Sequence, residues 1–217
     1  MNIVLPGTDI AVVSPRIFCI GRNYAKHAAE MNSAVPTTPM VFLKPSTALV
    51  RNGGLVRLPA ASSNVHHEVE LVVVIGKQGR DIAEADTLSY VGGYGIGLDM
   101  TARDIQAEAK KKGHPWSVAK GFDSFAPLGD LVPADAVEKP QLLEITLKVN
   151  DEIRQAGETG DMIFSVSRLI AYCSTVFTLL PGDLIYTGTP EGVAQVVSGD
   201  KMEATITGLP TLRVSVL

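Results

Sequence analysis

Runs and alternations of apolar residues divide the chain into many short strands and a few short helices. Leu71-Val72-Val73-Val74-Ile75 is a continuous apolar run stopped by Gly76, the pattern of a strand buried on both faces. Val65-His66-His67-Glu68-Val69-Glu70 leads straight into it. A strand that begins near His67 puts Glu68 and Glu70 on one face, with Cα atoms roughly 6.5–7 Å apart. Ile17-Phe18-Cys19-Ile20 predicts a core strand ending at Gly21. Met40-Val41-Phe42-Leu43 predicts another, closed by Lys44-Pro45, and Leu55 to Pro59 a third after the Asn52-Gly53-Gly54 turn. Val91 to Asp99 reads as a glycine-rich strand. Leu143, Ile145, Leu147 and Val149 alternate as a half-exposed one, and Asn150-Asp151 predicts a hairpin turn into Ile153-Arg154-Gln155. Pro181-Gly182-Asp183 turns the chain into Leu184-Ile185-Tyr186-Thr187, and two short strands follow, set off by Gly199-Asp200 and Gly208-Leu209-Pro210.

Three helices interrupt this series. Asn23 predicts the cap of a short Ala-rich helix on which His27 and Glu30, three apart, share a face. Thr101 and Asp104 resemble a capping box for a helix through Ile105, Gln106, Ala107 and Ala109. Lys110-Lys111-Lys112 suit the C-terminal end of its dipole, and Gly113 stops it. Ser165 caps a third helix, whose apolar face includes Val166, Leu169, Ile170, Cys173 and Phe177. Asn32 to Pro39 is a loop. With no repeat or heptad, the pattern predicts one α+β domain, mainly β, over residues 1–217.

Composition narrows the partners. The net charge is −4, and no basic run exceeds Lys110-Lys111-Lys112, which argues against nucleic acid and anionic membrane. The N-terminus lacks a basic n-region and breaks at Pro6-Gly7, so it does not read as a signal peptide. The apolar stretch from Leu169 to Leu180 is too short to span a bilayer. Cys19 and Cys173 each lie in an apolar segment and predict buried, reduced thiols, which fit the cytoplasm or another reducing compartment.

Two carboxylates facing one way at the mouth of a buried strand repel each other and are poorly solvated. Either one takes a proton or a cation sits between them, and oxygen donors suit Mg²⁺, Mn²⁺ or Ca²⁺. Glu-x-Glu is also common on solvent-facing elements, so the doublet alone leaves both readings open. His27–Glu30 by itself reads as a surface pair unless something else places it near a cation, and Lys120, within Trp116 to Gly121, reads equally as a snorkelling lysine or a functional one. The glycines of Val91 to Asp99 do not fit a dinucleotide fingerprint and instead permit close packing.

Taken in order, several segments together resemble the fumarylacetoacetate hydrolase family, most closely its short acylpyruvase group (acylpyruvate hydrolase/oxaloacetate decarboxylase-like). They are Gly21-Arg22-Asn23-Tyr24-Ala25, Phe42-Leu43-Lys44-Pro45, His66-His67-Glu68-Val69-Glu70, Leu98-Asp99-Met100-Thr101-Ala102-Arg103-Asp104, Lys110-Lys111-Lys112-Gly113-x-Pro115-Trp116 and Gly188-Thr189-Pro190-x-Gly192-Val193. The resemblance implies a mixed β-sandwich roll, usually a homodimer, that binds Mg²⁺ or Mn²⁺ through Glu68, Glu70 and Asp99. It implies lid residues His27 and Glu30, an active-site Lys120, and substrate-side residues Arg22, Arg103, Gln106 and Thr189. The implied substrate is a small 2-oxoacid, whose C–C bond is cleaved through a metal-bound enolate by acylpyruvate hydrolysis, oxaloacetate decarboxylation or both. Oxaloacetate keto–enol tautomerisation, and isomerase or hydratase chemistry on dicarboxylic ring-cleavage products, are the alternatives within the family. A non-catalytic cation-binding protein is the alternative outside it.

Overall fold

The computed structural model describes residues 2–31 and 33–217. The predicted start of the 32–39 loop, Asn32, lies outside the described residues, as does Met1. Strands dominate and pair into two main sheets. The larger has eight strands, in the order Met40–Lys44, Ile17–Gly21, Leu184–Tyr186, Val69–Ile75, Val91–Leu98, Ala126–Leu128 and Leu49–Arg51, with Val132–Pro133 also on Val91–Leu98. Its first and last strands are joined by residues 45–48 alone. So short a link brings the two edges together and curls the sheet into a roll.

Alternation along Val69–Ile75 then decides what faces where. Val72 and Val74 point into the roll with Ile17, Cys19, Leu184 and Tyr186. Val69, Leu71, Val73 and Ile75 point outward into a larger core. That core is covered by the second sheet, ordered Glu152–Glu158, Glu144–Val149, Lys201–Ile206, Leu212–Val216 and Leu55–Val56. Every residue of the central strand is buried, as its unbroken apolar run requires. Gly97, paired with Glu70, shows why that stretch is rich in glycine. A Cβ there would lie 2.3 Å from the Tyr186 ring and 2.6 Å from Val72.

Among the described residues four α-helices decorate the sheets: α1 (Ala25–Glu30), α2 (Arg103–Lys112), α3 (Ser117–Lys120) and α4 (Val166–Val176). The short α3 adds to the three predicted. Ser165 caps α4, accepting from Arg168 N at 3.1 Å, and α2 ends on Gly113 at φ 66°. The Asn150-Asp151 hairpin turn forms as expected, with φ 51° and 67°. No helix among the described residues is long and apolar enough to cross a membrane. Cys19 and Cys173 are buried free thiols.

Three local expectations fail, each because a distant partner outbids a local one. Tyr24, not Asn23, begins α1. Asn23 is buried, donating to the carbonyls of Thr187 and Phe164 at 2.8 and 3.0 Å and accepting from Phe164 N at 2.8 Å. The capping box does not form: Ala102 stands at the cap, and Asp104 instead holds Ser62 Oγ at 2.6 Å and Ser63 N at 2.9 Å. The central strand starts at Val69 rather than His67. His66 pairs with Thr101, and His67 N donates to Ala194 O at 3.2 Å, leaving Glu68 in the gap between two strands.

Candidate active site

Four strands of the roll end together: Ile17–Gly21 and Leu184–Tyr186 finish where Val69–Ile75 begins and Val91–Leu98 stops. Glu70 shares the inward face of Val72, and Asp99 N donates to Glu68 O at 2.8 Å, so three acidic side chains gather at one level. One carboxylate oxygen from each of Glu68, Glu70 and Asp99 lies within 4.8 Å of the others, and all three residues are buried. The break before Val69 therefore does not part the doublet.

Buried carboxylates need compensation. Lys120 Nζ donates to Glu68 Oε2 at 2.8 Å and to Asp99 Oδ2 at 2.6 Å, while Arg103 Nη2 donates to Glu68 Oε1. Lys44 Nζ lies 2.7 Å from Asp99 Oδ1. Its three protons go to the carbonyls of Met100, Lys120 and Phe125, at 2.9, 2.6 and 2.8 Å. Asp99 Oδ1 is thus a buried carboxylate oxygen with a cation beside it but no hydrogen-bond donor. Burial pushes the Glu68 carboxyl up, yet Lys120 and Arg103 outweigh that and hold it well below the usual carboxylate range. Burial, then the charges of Asp99 and Glu68, drive the Glu70 carboxyl well up, outweighing its hydrogen bond from Gly188 N at 2.7 Å and the charge of Lys120. Gly188 presents that N–H from φ 100°, a conformation open to glycine.

An all-oxygen donor set with an undonated oxygen and a carboxyl short of positive charge fits a hard divalent cation. The three oxygens lie within 4.8 Å of one another, slightly wider than the roughly 4.2 Å between opposite oxygens of an Mg²⁺ octahedron, so a bound ion would draw them inward.

The other predicted residues converge on a narrow cavity above the carboxylates, enclosing about 30 Å³. His27 forms part of its wall from α1, with Nδ1 3.2 Å from Glu30 Oε2. Glu30 Oε1 in turn accepts from Gly192 N at 3.1 Å, tying α1 to the loop after Leu184–Tyr186. This is no free surface pair: His27 is 5 % exposed. Lys120 is 2 % exposed and does not snorkel. Arg22, Gln106 and Thr189 line the cavity as expected. Arg103 does too, but its guanidinium is committed to Glu68 and, at 2.9 Å, to Gln106 Oε1.

Sequence reasoning missed Lys44, Gln155 and Lys110. Gln155 Oε1 accepts from His67 Nδ1 at 2.9 Å and Val69 N at 3.0 Å, and its Nε2 donates to Thr189 Oγ1 at 2.8 Å and Pro190 O at 2.9 Å. Because the Thr189 hydroxyl accepts there, its own proton is free to donate elsewhere. A polar residue at the inward position of Ile153-Arg154-Gln155 was the available signal. For Lys110 it was the i, i+3, i+7 stripe of Arg103, Gln106 and Lys110 along α2, all of which line the cavity.

Comparison with known proteins gives a consistent picture. A family model described as fumarylacetoacetate (FAA) hydrolase C-terminal matches residues 16–217. The chain is 50% identical over 201 residues to the mitochondrial oxaloacetate tautomerase FAHD1 of Arabidopsis thaliana, covering 93% of this chain and 90% of that one. Fumarylpyruvate hydrolase from Pseudomonas aeruginosa, solved with Mn²⁺ and pyruvate, superposes with a TM-score of 0.94 at 40% identity, over 100% of this chain and 95% of that one. The 5-carboxymethyl-2-hydroxymuconate delta-isomerase of Mycobacterium smegmatis gives 0.85 at 40% identity, over 95% and 80%.

Proposed function

Because the chain belongs to the fumarylacetoacetate hydrolase family, we propose that it is a divalent-metal-dependent enzyme that cleaves C–C bonds of small 2-oxoacids, by acylpyruvate hydrolysis, oxaloacetate decarboxylation or both. The observation that carries this is that Glu68, Glu70, His27 and Lys120 line one cavity, with Asp99 completing the carboxylate cluster and Glu30 holding His27 Nδ1. A structural cation site needs neither the dyad nor the lysine. Mg²⁺ or Mn²⁺ held by Glu68, Glu70 and Asp99 supplies Lewis acidity toward the substrate's carboxylate and keto oxygens.

The chain's own residues do the rest. Glu30 takes the His27 Nδ1 proton in hydrogen bond, which leaves Nε2 as the basic nitrogen. His27 removes a proton from water, and the hydroxide attacks the distal acyl carbonyl. The C–C bond breaks toward the pyruvate side, releasing a carboxylic acid and pyruvate enolate. Lys120 offers its charge to the oxyanion and a proton to the enolate carbon. Gln106 and Thr189 hold the 2-oxoacid by hydrogen bonds.

Oxaloacetate tautomerisation is the second reading, favoured by the Arabidopsis relative's name. It needs only proton transfer at C3. Acetylpyruvate, fumarylpyruvate and oxaloacetate assayed side by side with Mg²⁺ distinguish these activities, and no turnover of any of them would overturn the proposal. We take the working form to be a cytoplasmic homodimer, which light scattering tests. Gln106→Ala and Thr189→Ala are each expected to raise KM by roughly ten-fold with a smaller fall in kcat, as loss of ground-state hydrogen bonds does. A large fall in kcat at constant KM would assign them to the transition state.

A further inference from the structure

One buried amide beneath the cavity has the direction of every hydrogen bond decided by its neighbours. Gln155 alone is buried in its strand, Glu152–Glu158. Its Oε1 faces Val69 N at 3.0 Å, and a backbone N–H can only donate. Its Nε2 faces Pro190 O at 2.9 Å, and a carbonyl can only accept. Together these two groups fix which end of the amide is oxygen. The other two bonds follow: His67 Nδ1, 2.9 Å from Oε1, donates, and Thr189 Oγ1, 2.8 Å from Nε2, accepts. Among the described residues that is the only hydrogen bond of the Thr189 hydroxyl, whose single proton is left for the cavity that Thr189 lines. The loop carrying Thr189 is also pressed onto the Gln155 strand. A Cβ on Gly192 would overlap Arg154 O, and one on Gly157 would lie 2.9 Å from Pro190.

We propose that Gln155 is a positioning residue: it holds Thr189 as a hydrogen-bond donor, with the proton turned toward the bound 2-oxoacid. This rests on the 2-oxoacid reading above and deepens it. Gln155 does not line the cavity and acts only through Thr189. A hydroxyl rotates to suit whatever it meets. One that has to be reoriented on each binding event gives up part of what its hydrogen bond contributes, and Gln155 removes that cost in advance. A purely structural Gln155, present to satisfy Val69 N and Pro190 O, would lower stability when lost and show no link to Thr189.

Trp116, the single tryptophan of the chain, lines the cavity, so its fluorescence reports the binding of pyruvate in Mg²⁺ without turnover. The test is a double-mutant cycle. Thr189→Ala is expected to raise the pyruvate Kd roughly ten-fold and Gln155→Met roughly three- to ten-fold, as loss of a hydrogen bond or of its orientation does. In Thr189→Ala protein, Gln155→Met changes Kd by less than about two-fold, because no hydroxyl remains to orient. Thr189→Ser keeps the hydroxyl and with it the response to Gln155→Met. In turnover the Gln155→Met loss falls on KM rather than kcat. Should Gln155→Met not fold, Gln155→Glu carries the same cycle. Its carboxylate still accepts from Val69 N and His67 but draws the Thr189 proton to itself. Any effect of the new charge on pyruvate persists in the Thr189→Ala background and cancels. Equal weakening of the wild-type and Thr189→Ala proteins, or an unchanged Kd in the Gln155 variant, would overturn the proposal while leaving the 2-oxoacid reading intact. No binding of pyruvate to the wild type would overturn both.

Discussion

Chelation with EDTA abolishes turnover and Mg²⁺ restores it, whereas Asp99→Asn stays inactive even in excess Mg²⁺: this is the largest expected effect. Asp99 stands between two ammonium groups, with Lys120 on Oδ2 at 2.6 Å and Lys44 beside Oδ1 at 2.7 Å. An amide there loses the negative charge and turns an N–H₂ donor toward one of two groups that are themselves only donors. The oxygen cluster then loses a third of its charge and the undonated oxygen of Asp99. Lewis-acid stabilisation contributes several kcal/mol, so activity is expected to fall by roughly 10³-fold or more. Breaking a buried ion pair also destabilises a protein by roughly 3–5 kcal/mol. The variant's melting temperature is therefore measured beside its activity, and the chelation experiment on the wild type stands free of that complication. Full turnover in EDTA would sink the metal-dependent reading.

The second large effect separates the reactions. His27→Ala is expected to lower acylpyruvate hydrolysis by roughly 10²–10⁴-fold, the usual worth of a positioned base. Oxaloacetate decarboxylation and tautomerisation, which need no attacking hydroxide, lose much less. Lys120→Met, which keeps most of the buried stem, damages all three activities, since each develops enolate charge beside Glu68 and Asp99. All three rates are measured on both variants in one Mg²⁺ buffer. Equal losses across the three activities for His27→Ala would show that the dyad does not act on water, and a tautomerase or decarboxylase would become the better assignment.

Where a feature depends on neighbours in sequence, it could be read before folding. The Asn150-Asp151 turn, the Ser165 cap, the Gly113 stop and the buried run to Ile75 all rest on local chemistry, and all form. The carboxylate cluster was legible for another reason: Glu68 and Glu70 carry a charge conflict on their face, and the family resemblance supplied Asp99. Asn23, Thr101 and Asp104 misled because their short polar side chains satisfy either a local cap or a remote backbone group, and the remote group is invisible in one dimension. Lys44 was hidden in the same way. A lysine closing an apolar strand reads as a surface residue until the roll brings three carbonyls to it. Gln155 belongs to the second sheet, and only the packing of one sheet on the other sets it beneath Thr189.

The pairing of Ile17–Gly21 with Leu184–Tyr186 has a consequence for the chain's birth. These parallel neighbours come from opposite ends of the sequence, and the Arg16–Asp183 contact beside them joins residues 167 apart. On the ribosome, Val69–Ile75 emerges long before Leu184–Tyr186, the strand that seals one of its edges. For that interval a strand that is apolar but for Glu70 has an open side, the condition under which nascent chains associate wrongly. High contact order makes the final closure slow as well. A stall or truncation ahead of residue 184 would therefore release an aggregation-prone species rather than a weakened enzyme, and holding that edge until synthesis is nearly complete is work for a chaperone.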